Sequence, residues 1–511
     1  MGRRARAIGT AFSVVAGLAV GLGAGPGVEA APGCGPLDRP ETGIAGEVPL
    51  ADQISGRADE GYSCGLSLIG YTSLGGRGGN ANMAWAGHCA YVAGDGVAVV
   101  DVRDPQRPVH VRTLHGAGAD ATVETLHAVD APDRSILVTG RYGVFGWRTI
   151  NGPAPIDVWD VSDCAEPVHL STVTIPWNAH NLTLSADGRT LWNTLPLSAV
   201  DLTDPRHPVP LGNLEEELAA NGAFKMMYAH EAWPSPDGTR LYVGGQMAID
   251  EELLVLDVEG WPGRPARVVG RVPTPGHSIR PATIDGVPYL VNSDESIINP
   301  TAKGCVPEPM TPVGGASQPY LTDISDEANP VVRSQLRLAI NEPEHCLRQI
   351  AAGVNASVHY QDVDDPDDTT FVMASMWNAG LRIFDVRDPA SPREVAYFNP
   401  GRFSVSDPGG GTGVGQALAF QTPNQLDQAW AHSRYDARGG HIWLATRSGG
   451  FWVLELQPQL RRALDLPARR TIHPDGAPPR PPETRLPVAT AVPAGTYCLL
   501  DPLGTAITRP L

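Results

Sequence analysis

The sequence predicts an all-β protein: a seven-bladed β-propeller of four-stranded antiparallel blades, closed by an N-terminal strand that completes the last blade. Three observations lead there. A degenerate repeat ending in an Asp-Val-Ser-Asp-Pro type of turn recurs along the 511 residues, with aligned acidic residues Asp101, Asp160, Asp201, Asp257, Asp323, Asp385 and Glu455. High glycine (57) and proline (48) favour many short strands and turns over long helices. A strand-like segment before the first copy, GLSLIGYTSL at 65–74, has no partner of its own.

Each copy follows one grammar. An apolar run such as VAVVD (97–101) makes a strand, Asp with Pro makes a turn whose side chain caps its own backbone, and a further strand follows the proline. Upstream sits a hairpin, as in NLTLSADGRTLWNT (181–194) and EAWPSPDGTRLYVGG (231–245). Four strands per repeat, at intervals of 41 to 70 residues, is the pattern of a propeller blade. The seventh copy supplies three strands and lacks the outermost. The segment 65–74 suits that vacancy, because an N-terminal strand closing the C-terminal blade removes the open edge.

The flanks read differently. Residues 1–30 carry Arg3, Arg4 and Arg6, an apolar stretch from Ile8 to Leu22 and a small-residue site at Val28-Glu29-Ala30, as an export signal does. Residues 31–63 form an N-terminal arm, 64–457 the propeller, and 458–511 a Pro-rich tail. The expected location is extracellular, with no stable membrane span. A formal charge of −18, with only Lys225 and Lys303 as lysines, argues against a nucleic-acid partner.

The run [I/L/V]-x-[I/V]-x-D-V-S-D-P-x-x-P resembles the LVIVD-repeat family of secreted bacterial and archaeal propellers, over about residues 64 to 457. Blade 4 (Asp257-Val258-Glu259-Gly260) and blade 7 (Glu455-Leu456-Gln457-Pro458) depart from the pattern. The resemblance implies a propeller and an extracytoplasmic location, and no particular reaction.

Chemistry concentrates at the blade entrances, TLHAVD, NAHNLTL, YAHEAW, PGHSIR, SVHYQD and WAHSRY. Their histidines are His127, His180, His230, His277, His359 and His432, with Asn82 in the equivalent place of blade 1. Strand A is innermost in a blade, so these imidazoles are expected to ring one mouth of the central channel. Long insertions at 141–155, 292–319, 337–357 and 399–430 fall on the same face. Imidazole is a favoured ligand of copper, iron and zinc, and three or four of them suffice for one ion. Arg141, Arg280, Asp294, Glu295 and Arg348 are expected around the rim, the acids as ligand orienters and the arginines toward a carboxylate. Glu231 need not share the pocket, since neighbours alternate across a strand.

All seven cysteines follow the export signal. Face assignments suggest Cys305 with Cys346, Cys64 with Cys89 and Cys164 with Cys498, leaving Cys34 over. Two functional readings stay open. One is a metal-dependent enzyme, an oxidoreductase or lyase on a small organic substrate. The other is a non-catalytic propeller binding extracellular protein or glycan, its repeated histidines serving blade packing; a monomer is expected on either reading.

Overall fold

The structure is a computed structural model, and it describes residues 34–469 apart from 121, 143–151, 221, 224–228, 246–251, 275, 294, 296–317, 346–347, 350–351, 353 and 403–425. Among the described residues the strands form seven antiparallel sheets, each with a four-stranded blade in it. In blade 1 the order from the axis outward is Met83–Ala86, Cys89–Val92, Val97–Asp101 and Val109–Leu114, here strands A to D. The same order repeats in blades 2 to 6. Helices are short and peripheral, and none among the described residues is long and apolar enough to cross a membrane.

Two N-terminal strands join the ring at different blades. Strand β1 (Tyr62–Cys64) adds a fifth strand to the outer edge of blade 6, pairing Tyr62 with Asn399. Strand β2 (Leu66–Thr72) pairs with Gly450–Leu456 and becomes strand D of blade 7, closing the ring as expected. Closure is sealed by apolar packing between blades 7 and 1, where Trp443, Phe451 and Val453 meet Ala90, Val92 and Val100. Each blade thereby buries both of its faces against its neighbours.

The Asp turns behave as their residue types dictate. Asp101, Asp160, Asp201, Asp257, Asp323 and Asp385 each accept the backbone N–H two residues on. Each D strand also carries a β-bulge at one point, between Val99 and Val100, His169 and Ser171, Ala199 and Val200, Val255 and Leu256, Leu321 and Thr322, Ile383 and Phe384, and Leu68 and Gly70 on one or other partner. Just past the bulge in blades 2, 4, 5 and 7 a small residue meets the Asp-Pro turn of the next blade. Ser171 and Ser334 donate to the carbonyls of Pro205 and Pro389, while Gly70 and Gly270 lie against the carbonyls of Pro105 and Glu327.

The disulfides are Cys34–Cys64 and Cys89–Cys164. This corrects the pairings of Cys64 with Cys89 and of Cys164 with Cys498, and the expectation that Cys34 is left over. Cys64 ends β1 on the circumference of blade 6, with blade 7 between it and blade 1, so it joins the N-terminal arm instead. Cys89 begins strand B of blade 1 and ties it to the turn of blade 2. Cys305, Cys346, Cys498, the export signal and the end of the tail lie outside the described residues. The start of the tail is a short helix, Pro458–Ala463, whose Leu460 packs with blades 6 and 7.

Candidate metal centre in the propeller channel

Four of the six histidines, His180, His230, His277 and His359, come together at one level of the channel, one from each of blades 3 to 6. They face two carboxylates, Glu124 and Glu295, and all six residues are at most 2% exposed. His180 Nε2 is 3.2 Å and His230 Nε2 3.5 Å from Glu124 Oε2. His277 Nε2 is 3.1 Å from Glu295 Oε2, and His359 Nε2 lies 3.3 Å from Glu124 and 3.4 Å from Glu295. Two triads result, Glu124–His180–His230 and His277–Glu295–His359.

The tautomers follow from the backbone. His230 Nδ1 donates to the carbonyl of His277, His277 Nδ1 to that of His359, and His359 Nδ1 to that of Trp430. A carbonyl can only accept, so the proton of each neutral ring sits on Nδ1 and its Nε2 lone pair points at the carboxylates. This is how a protein orients metal-ligating imidazoles. Trp430 adds a competing contact, its indole N–H donating to His359 Nε2.

Burial dominates the electrostatics. Desolvation pushes the His180 imidazole down to about 4 and holds His230 and His359 well below the usual range. For His277 burial also opposes charge, but Glu295, with Glu124 and Glu231, outweighs it and raises that ring. Two carboxylates facing four imidazoles in a water-poor interior make a donor set that suits a cation. With bonds of roughly 2.1 Å, cis ligands of one ion stand about 3.0–3.4 Å apart. The observed donor separations of 3.1–3.5 Å fall in or beside that range.

His127 and His432 do not join this set, which corrects the expected ring of six. In blade 2 the hairpin turns through Pro132-Asp133 between the paired residues Ala131 and Arg134, whereas in blade 3 Ser185 pairs with Thr190 across a longer bend. Ile136 pairs with Asp160 and Val129 as Thr190 pairs with Asp201 and Ser185, so Val129 matches Ser185; five residues back, Glu124 takes the position of His180, and His127 lies three residues deeper. In blade 7 the carbonyl that receives His359 Nδ1 belongs to Trp430, so Trp430 holds the repeat position and His432 lies inside an adjoining bulge. By the same register Ala81, not Asn82, holds the position in blade 1. Asn82 instead accepts the backbone N–H of His432.

The displaced histidines belong to a second buried group around Arg280. Its guanidinium bonds Glu231 and Asp362 at 2.9 Å, reaches His432 at 2.8 Å and stacks on Trp233 at 3.7 Å. His127 accepts the N–H of Leu184 through Nδ1. Burial, and then Arg280, hold its imidazole down to about 3. Burial would raise Glu231, yet Arg280 and His432 outweigh it and keep the carboxyl far below the usual range. Arg280 is therefore saturated by its own chain and not available at a rim.

The remaining rim residues scatter. Arg141 is exposed, its backbone N–H bonded to the carbonyl of Pro155. Arg348 pairs at 2.9 Å with Glu47 of the N-terminal arm. Neither has a described contact with the histidine cluster. Asp294 lies outside the described residues, and Glu295 joins the cluster directly. Sequence reasoning missed Glu124 and Trp430, and discounted Glu231. The signal for all three was register counted from the hairpin, not similarity of residue type.

No family model matches the chain, and no curated protein does. Similar solved structures include the Cps50 (Swd1) β-propeller domain of Myceliophteria thermophila, 13% identical with a TM-score of 0.46, covering 77% of this chain and 99% of that one. A chain of the Mitotic Checkpoint Complex is 11% identical at a TM-score of 0.43, covering 76% and 90%. Sqt1 of Chaetomium thermophilum is 11% identical at 0.42, covering 76% and 97%. Similarity at this level carries no information on the site.

Proposed function

We propose that this chain is an exported propeller of the LVIVD-repeat type whose channel holds a first-row transition metal, copper, iron or zinc, for enzymatic chemistry on a small organic molecule. The observation that carries the reading is the set of imidazole Nε2 atoms turned toward Glu124 and Glu295 in a sealed interior. Nitrogen and carboxylate donors without thiolate suit such ions. A bound ion would supply Lewis acidity or a redox couple, consistent with an oxidoreductase or lyase. The residues of the chain do the rest. His230, His277 and His359 are locked by their Nδ1–H bonds, Glu124 and Glu295 offset the charge, and the buried aromatic pair Trp377 and Trp430 walls one side at 5.2 Å between ring centres. Two disulfides and the N-terminal segment support export.

The packing reading has its own support, since the same Nδ1–H bonds stitch blade 4 to 5, 5 to 6 and 6 to 7. It gives no reason for two buried carboxylates to face the Nε2 atoms of four imidazoles. Metal analysis of protein purified without a His-tag separates the two. We expect stoichiometric metal, lost in the paired His180→Ala and His230→Ala variant. No metal in the wild type, with unchanged folding of the variant, would leave a propeller that binds protein or glycan.

A further inference from the structure

Building on that metal reading, we propose that the channel takes two transition-metal ions and that the Glu124 carboxylate bridges them. The oxygens of Glu124 are divided. Oε2 faces His180 and His230 at 3.2 and 3.5 Å, while Oε1 faces His359 at 3.3 Å. Glu295 is placed differently, with Oε2 at His277 and Oε1 at His359, both in one triad, at 3.1 and 3.4 Å. A carboxylate serving one ion turns both oxygens or a single one to that ion, as Glu295 does within its own triad. Glu124 offers one oxygen to each triad.

Each half is complete by itself. Glu124–His180–His230 and His277–Glu295–His359 are each two imidazoles and a carboxylate, with donor atoms within 4.8 Å of one another. Such a set holds a divalent ion and leaves positions open for other ligands. Paired ions of this kind clamp both ends of a reacting group. Two divalent ions against two carboxylates leave two positive charges, which hydroxide or an anionic ligand completes.

The halves are not equivalent. Trp430 donates its indole N–H to His359 Nε2, so an ion in the second half competes with that bond. With that bond to break, the His277–Glu295–His359 half fills second.

Titration of the metal-free full chain with Co²⁺, followed by bound-metal analysis and EPR, tests this. The wild type is expected to bind two equivalents in two steps, with the second diminishing the signal of the first through spin coupling across the carboxylate. Glu295→Gln should weaken the second step at least tenfold and spare the first, and Glu124→Gln should weaken both. Trp430→Phe should tighten the second step several-fold, a gain that misfolding cannot imitate. A single equivalent in the wild type overturns the pair but not the metal reading, and none overturns both. Two equivalents with additive, uncoupled signals overturn the bridge.

Discussion

His127 and His180 are alike in the sequence and opposed in the structure. His180 offers Nε2 to Glu124, whereas His127 uses Nδ1 to accept the Leu184 N–H and is kept neutral by burial and by Arg280. That neutrality has a pH consequence. The unfolded ring takes up a proton below its ordinary value near 6.5, but the folded ring resists down to about 3. Between those values the unfolded chain binds more protons, so stability falls as pH falls, by about 1.4 kcal/mol per pH unit for this group. His127→Gln keeps an acceptor for Leu184 and removes the titration. Thermal melts from pH 7 down to 4 should therefore show a shallower loss for the variant, and identical slopes would contradict this account of His127.

At the scale of the element, the bulge in each D strand is the part that locks blade to blade. In blades 2, 4, 5 and 7 it turns a small residue toward the next Asp-Pro turn, and at Gly70 and Gly270 the backbone leaves no room for a side chain. A Cβ on Gly270 would stand 1.9 Å from the Glu327 carbonyl oxygen and 3.1 Å from Pro330 Cδ. Gly270→Ala must push blade 5 away, which we expect to cost about 1–3 kcal/mol as overpacking does. Chemical denaturation should show it, while Gly286→Ala, in open space at a hairpin tip, reports only its positive φ of 73°. Equal losses in the two variants would mean that the blade contact yields more easily than its geometry indicates.

For the molecule as a whole, closure depends on β2 and reinforcement on β1. Strand β2 completes blade 7, so its loss bares the edge of Gly450–Leu456 and opens the ring between blades 7 and 1. Strand β1 and the arm add to a blade that already has four strands, although they also bring Glu41 to the buried Arg382. A chain starting at Gly65 should keep a cooperative melt at a lower Tm. One starting at Ser73 should lose the cooperative transition and aggregate. A cooperative melt for the shorter chain would show that six complete blades and a partial seventh suffice.

Much of this was legible in the residues. The Asp-Pro turns, the hairpins and the orphan segment 65–74 are local patterns, and strands with their caps are decided by local chemistry and a period of two. Blade number and closure followed from counting them. The metal candidates were half legible, because repeat position was judged by residue type. Glu124 was hidden by the two-residue difference in its hairpin, and Trp430 by the bulge that holds His432. Which imidazoles meet which carboxylate depends on contacts between blades tens to hundreds of residues apart, such as His359 with Glu124. Local pattern sets the order of strands in a blade. Only the closed ring decides which side chains share its axis, since a shift of one or two residues in a strand re-aims every side chain that reaches the channel.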